Sequence, residues 1–417
     1  MRRFLYPLLF AITVSSVSLP SVQAQPGGRQ PLLPTPRILN RYGLELAWWN
    51  RAVLDPARDE VAHLTADEEI VFVQSTAGTV TAFDADNGIK LWAIQLGYRD
   101  APSYPITTNA KLALVTTGSY IFAVEKWKGN LLWQIRLPSQ PSTSPTVDER
   151  RMFIGMLDGT MYAYNLKKIK DLFEDAKLPE WSYQTIEWNF RTDGAVATPG
   201  IPIEPALFFA SEDRSLYAIT TNDRALKFQL ETDATITARL AHANGLLYLA
   251  SEDFNVYAVD EVTGQIRWRF VAGLPIRKPP IAIKNDLFIA PERAGVYLLD
   301  GVTGRQRTNG YWPRLDKFVT ATENLYMLTD RTGNIVLVNR ETLGVEGVLP
   351  LNRYDNIIYN EKTDRLIMAT SRGLVAVIKE IGSEFPTYYQ SPEKQPILPP
   401  LAPETEPEPE AEIDAGN

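Results

Sequence analysis

Few residues in this chain have the types and spacing that chemistry needs. There are two histidines, His63 and His242, and no cysteine. Neither histidine has a second His or a Cys at zinc-ligand spacing, so no metal site is expected from them. Asp158-Gly159 resembles a fragment of a calcium loop, but the spaced D-x-D-x-D-G pattern is missing and the pair reads as a hairpin turn. Ser211-Glu212-Asp213 recurs as Ser251-Glu252-Asp253. Recurrence at one turn argues for structure, although two acidic turns on one face would also attract a cation or a basic partner. No nucleophile elbow, phosphate-cradling loop or dinucleotide fingerprint occurs, and no catalytic residue is assigned. The densest group of aromatic and arginine side chains is Trp181, Tyr183, Trp188 and Arg191, with Phe173 just before it. Such side chains anchor protein interfaces. Trp188 is better explained by packing, which leaves Phe173, Trp181, Tyr183 and Arg191 as candidate partner-binding residues.

The elements that position these residues come from a repeat. Ala82, Ala123, Ala163, Ala218, Ala258, Leu298, Leu337 and Val377 occupy equivalent places, separated by 41, 40, 55, 40, 40, 39 and 40 residues. Two residues before each anchor the chain is always apolar, and two residues after it is mostly a short polar residue suited to a turn. The turn closes with Gly88, Gly129, Gly264, Gly304 and Gly344, where a positive φ costs least. Ten residues after the anchor stands an aromatic: Trp92, Trp133, Phe228 and Trp268. In the third copy Trp188 comes 25 residues on, an excess of 15 that also accounts for the long interval. The extra residues, 166–180, carry Leu166, Ile169, Leu172, Phe173 and Ala176 at the spacing of one helix face.

A repeat of about 40 residues with three visible strands, and a fourth between copies, marks a propeller blade. The fourth strands are expected within 145–147, 195–199, 236–241 and 280–283, and they place both histidines in inner-strand regions. The eighth copy lacks a closing aromatic strand of its own. Residues 44–53, with Trp48 and Trp49, supply it, so the chain is expected to be all-β: an eight-bladed β-propeller closed by an N-terminal outer strand. Closure of this kind removes the free edges of an open array.

Residues 1–24 read as a secretory signal, with Arg2 and Arg3, an apolar run, and Val22-Gln23-Ala24 before the cleavage point. A proline-rich leader follows at 25–37, the propeller spans 38–381, and 382–417 is an acidic, proline-rich tail expected to be disordered. Within it, 382–390 is a short aromatic segment expected to pack on the first or last blade. Loss of 1–24 takes the formal charge from −8 to −10, of which residues 391–417 hold −6 through seven acids and Lys394. The mildly acidic remainder argues against a nucleic-acid partner. A periplasmic or secreted location follows, with no cysteine for a lipid anchor.

The consensus (apolar–Tyr/Phe–apolar–Ala–Ser–x–Asp–Gly–x–apolar–Tyr–Ala–apolar–Asp–x–x–Thr–Gly–x–x–x–Trp) resembles the pyrroloquinoline quinone-like propeller repeat. It is clearest at 80–92, 157–165, 210–219 and 250–268. Within that superfamily the length, eight blades and signal resemble the BamB family, the propeller subunits of outer-membrane β-barrel assembly. The resemblance implies a non-catalytic, monomeric scaffold that binds an envelope protein through loops on one face. It implies no cofactor. BamB proteins are normally lipoproteins, a pattern this cysteine-free chain leaves. The alternative reading is a quinoprotein dehydrogenase or sensor with quinone and Ca²⁺ in the central channel, and a third is a binder of cell-wall glycan.

Overall fold

The computed structural model describes residues 33–391, apart from 100 and 309. The expected signal, most of the expected leader and the stretch beyond 391 lie outside them. Each repeat becomes one antiparallel sheet, numbered here as blades 1 to 8. Blade 5 shows the pattern: an inner strand Ala241–Ala243, then Leu246–Ala250, Asn255–Asp260 and an outer strand Ile266–Val271. The middle strands are buried apart from Asp260 at the end of the third, while the outer strand exposes Arg267, Arg269 and Val271 in alternation after an exposed Ile266. That difference explains the sequence. LLYLA is apolar throughout because neighbouring blades cover both its faces, whereas IRWRFV alternates because only one face is covered.

The N-terminal strand closes the ring. Leu44–Arg51 pairs antiparallel with Leu374–Glu380 as the outer strand of blade 8, and Trp48 stands opposite Val377. The same pairing joins anchor and aromatic elsewhere: Ala82 to Trp92, Ala123 to Trp133, Ala163 to Trp188, Ala218 to Phe228 and Ala258 to Trp268. All eight anchors are fully buried.

Each of these aromatics leaves its own blade and docks on the next. Trp92 donates its indole N–H to the Lys126 carbonyl at 2.9 Å, Trp188 to Thr221 at 2.7 Å, Trp268 to Gly301 at 2.9 Å and Trp48 to Ala85 at 2.7 Å. The ring lies flat on the residue that closes the next blade's turn. A Cβ added to Gly129 would sit 2.5 Å from Trp92, and one on Gly304 would sit 2.6 Å from Trp268. Both glycines also have φ above +70°. Glycine is required there twice, for the backbone and for the ring.

The structure departs from the sequence reading in five places. In blade 7 the positive φ falls on Leu343 (+57°), six residues after its anchor like the other turn residues, and not on Gly344. Arg224 (+59°) holds the same place in blade 4. In blades 4 and 5 the inner strands are Ile201–Ile203 and Ala241–Ala243, later than expected. The apolar residues Val196, Ile236, Ala238 and Leu240 that suggested strands are instead buried in the links between blades. Blade 6 has three regular strands, and its outer segment bulges by four residues before Trp312, which still reaches the Leu343 carbonyl at 3.4 Å. Gly347 stands where blade 7 would carry its aromatic, and the Tyr42 ring from the N-terminal segment fills the place. Finally, 382–390 packs on the last blade but runs further. Tyr389 donates from its amide to Lys362 and from its hydroxyl to Ala321, both at 2.8 Å, and lies under Lys284 of blade 6.

Charge ties add to the aromatic seams. Lys126 Nζ, almost fully buried, contacts Asp67 at 2.8 Å and Glu69 at 2.6 Å, joining blade 2 to blade 1. Burial pushes the Asp67 carboxyl up. The Lys126 ammonium, the Glu69 amide and the Thr108 hydroxyl outweigh burial and hold it below the ordinary carboxylate value. The tie therefore stabilises the fold above the unfolded value of about 3.9, and the gain is lost as pH falls through the depressed folded value.

Two outcomes are expected. Trp92→Ala should lower stability by about 3–5 kcal/mol in denaturant titration, and Gly129→Ala should be destabilising alone but much less so in the Trp92→Ala background. Additive costs would contradict the stacked seam. Lys126→Ala should cost about 3–5 kcal/mol at neutral pH by stranding Asp67, with the deficit shrinking toward pH 3. A deficit independent of pH would contradict the tie.

Candidate interaction surface and central channel

The insertion sits where six of the other blades have a tight turn. It consists of helix α2 (Leu166–Glu174), a single turn α3 (Leu178–Trp181) and a 3-10 turn, Ser182–Thr185. Here α1 is the short N-terminal helix Pro36–Asn40. Asn165 caps α2, its side chain accepting from the Lys168 amide at 2.9 Å. Leu166, Ile169 and Leu178 are buried with Trp133, Ile135 and Leu137 of blade 2. The insertion is thus the seat of Trp133, replacing the tight turn that receives the aromatic elsewhere, which is closed by glycine in blades 1, 2, 5 and 6.

Leu172 is half-buried, but Phe173 does not share the buried face, and Ala176 lies beyond the end of α2 with φ +57°. Phe173, Trp181 and Tyr183 are 44%, 42% and 67% exposed. Three large rings therefore lie open on one small element at the lower face, the face formed by turns joining third to outer strands. Arg191 is not with them. It ends the strand Ile186–Arg191 and pairs with Thr160, at the upper end of the sheet. Five strand steps of ~3.4 Å separate it from the insertion. Trp188 between them is buried in the seam to blade 4. Sequence proximity suggested one cluster because a strand's length is invisible in spacing alone.

The recurrent acidic turns lie on the upper face. Asp213 accepts from the Tyr217 hydroxyl at 2.7 Å and the Asp193 amide at 3.2 Å, and Asp253 does the same with Tyr257 and Asp233. Both aspartates are structural clasps on the link from the preceding blade. Glu252 is held by Arg277, which also binds Glu292. Asp158-Gly159 is a hairpin turn, with Asp158 accepting from the Thr160 amide at 2.9 Å.

Inner strands enclose a channel of about 710 Å³, lined by residues of all eight blades. His63 faces it from blade 1, its Nε2 3.0 Å from the Ser103 carbonyl; burial pushes its pKa down against that contact. His242 lies away from it, 2.6 Å from Glu261. Arg239 of blade 5 forms an ion pair across the channel with Glu361 of blade 8. Asp355, the other lining carboxylate, accepts from the Ser371 amide at 3.1 Å. Both described lining carboxylates are already engaged, and no three His, Asp or Glu side chains converge among the described residues. This donor set does not fit a calcium-bound quinone. Among the described residues no helix is long and apolar enough to cross a membrane.

Eight radial sheets around a channel, closed by one N-terminal strand, define an eight-bladed β-propeller of the quinone-repeat type. The chain belongs to the family described as outer membrane protein assembly factor BamB, whose profile it matches over residues 45–115, 76–198 and 181–343. It is 24% identical to the outer membrane protein assembly factor BamB of Moranella endobia (strain PCIT) over 147 residues, 32% of this chain and 38% of that relative. The match thus spans well under half of the relative's length. Among solved structures, BamB from Moraxella catarrhalis superposes with a TM-score of 0.62 at 14% identity, covering 81% of this chain and 98% of that one. The computationally designed Ika8 protein superposes at 0.59 and 13%, covering 77% and 96%. These two likenesses concern the fold alone.

Proposed function

We propose that this protein is a non-catalytic interaction scaffold of the bacterial envelope. It acts in the periplasm after removal of residues 1–24 and docks a component of outer-membrane β-barrel assembly through the blade 3 insertion. Family membership and the assembly role named for the Moranella relative support the setting. The observation that carries the docking surface is the exposure of Phe173, Trp181 and Tyr183 on an element whose opposite face is fully used by the fold. Rigid aromatics on a buried base are good anchors because little side-chain freedom is lost on binding. The channel supports the non-catalytic reading, since its carboxylates are engaged in structural contacts.

The test is affinity capture of the mature protein from crosslinked envelope extract, with mass spectrometry of the recovered proteins. Recovery of a β-barrel assembly protein is expected. Trp181→Ala and Tyr183→Ala should each weaken the purified pair by about tenfold or more while leaving thermal stability nearly unchanged. Ile169→Ala, on the buried face, should instead cost about 2–5 kcal/mol of stability. Full affinity in the double variant Trp181→Ala/Tyr183→Ala would overturn the assignment of the surface. Tight binding of quinone with Ca²⁺ would overturn the non-catalytic reading.

A further inference from the structure

The charges of the channel are gathered on one side. Among the described lining residues the cations are Arg239, Lys317 and Lys362 and the carboxylates Asp355 and Glu361, all from blades 5, 7 and 8. Blades 1 to 4 supply only uncharged side chains and His63, whose pKa burial pushes down. Both carboxylates are already engaged, Glu361 by the Arg239 guanidinium and Asp355 by the Ser371 amide.

Lys317 is left without such a match. It stands on the inner strand of blade 7, Leu315–Ala321, half-buried, with its Nζ 5.2 Å from the centre of the Tyr359 ring. Its sequence neighbour Asp316 is taken up by Lys278 at 2.6 Å. The ring face compensates part of the ammonium charge but gives its three N–H groups no acceptor. Among the described residues that Nζ makes no hydrogen bond or ion pair. Burial pushes its pKa down, with Asp316 opposing the effect and Lys278 adding to it. An anionic group beside the ammonium would offset that burial.

Tyr359 offers a second donor at the same place. Burial pushes its pKa up to about 12, with Asp316 adding to the effect and Arg239 opposing it. The hydroxyl therefore keeps its proton at neutral pH, and among the described residues it makes no hydrogen bond. Around these donors the lining is apolar at Leu64, Ile106, Ile357 and Ile358. A cavity of about 710 Å³ with an apolar lining and a few placed polar groups has the make-up of a small-molecule site.

We propose that the channel binds a small organic anion, whose carboxylate or phosphate group sits on the Lys317 ammonium and the Tyr359 hydroxyl. Arg239 adds attraction from blade 5, and the apolar lining covers the carbon body of the ligand. No metal ion is needed, because the charge is met by side chains. This inference is independent of the docking surface on the insertion, and its failure would leave that surface untouched.

The experiment is amine acetylation of the purified full chain, with the labelling rate of Lys317 read by peptide mass spectrometry and exposed Lys128 as internal control. Rates are compared in sodium chloride alone and with citrate or inorganic phosphate added at the same ionic strength. Citrate or phosphate should slow Lys317 several-fold and saturably, with Lys128 unchanged. Slowing by citrate alone would identify a carboxylate ligand, and slowing by phosphate alone a phosphate. Tyr359→Phe keeps the ring under the ammonium and should raise the half-saturating concentration about tenfold, with near-ultraviolet circular dichroism confirming the fold. A Lys317 rate that neither anion changes would overturn the proposal, as would equal slowing of Lys128. An unchanged half-saturating concentration in folded Tyr359→Phe would overturn the assignment of the site to this pair.

Discussion

The structure depends on an aromatic ring pressed against a backbone that bends the wrong way for most residues. In each regular seam an outer-strand Trp or Phe leaves its own sheet and covers the residue closing the next blade's turn. The Trp copies also donate the indole N–H to a carbonyl of that turn. Burial of a large ring supplies much of the seam's stability, and the hydrogen bond fixes its direction. Because the contact is always with the next blade, it sets the length of the turn, the small anchor behind the ring and the spacing of the repeat. It also makes the first and last blades interdependent, since Trp48 of blade 8 rests on Gly88 of blade 1.

That dependence explains how variation is absorbed. Where blade 3 lacks the glycine turn, helix α2 and the turn α3 present Leu166, Ile169 and Leu178 to Trp133 in its place. Where blade 7 lacks the aromatic, Tyr42 arrives from the N-terminal segment. Where blade 6 bulges, Trp312 still finds a carbonyl of blade 7. The contact persists while the residues that make it change. An insertion that serves a seam with one face is free to expose Phe173, Trp181 and Tyr183 on the other, which is how one element can be both structural and available for docking.

Most of the fold was legible in the sequence because the repeat is governed by local rules: an apolar run for buried middle strands, a small anchor, a turn and a ring. The closing strand was legible for the same reason, since Trp48 and Trp49 have no partner copy of their own. The inner strands were legible only in part: those of blades 3 and 6 fall where expected, whereas those of blades 4 and 5 come later. They are two to seven residues long, and the buried links before them, such as the stretch holding Ile236, Ala238 and Leu240, carry the same apolar signal without a ladder. Trp312 escaped notice because a bulge moves it out of register. The candidate site was half legible. Phe173, Trp181 and Tyr183 stand on one element as their spacing suggests, whereas Arg191 is carried to the opposite face by a strand whose direction spacing does not reveal. Channel lining was legible only in part: His63 and His242 were both expected in inner-strand regions, yet His63 alone of the two faces the channel, because lining is set by ring closure and not by a local pattern.

Ring closure through the N-terminal strand is the claim most worth testing directly, by native-state hydrogen exchange. Amides of Leu44–Arg51 that are bonded to Leu374–Glu380 should exchange with the same opening free energy as those of the central strands of blade 4. The ring would then open only as a whole. Exchange of the N-terminal strand by a separate, much less costly opening, with blade 4 still protected, would contradict the account: the propeller would be an open array with a loosely added strand, and the seams would not depend on closure.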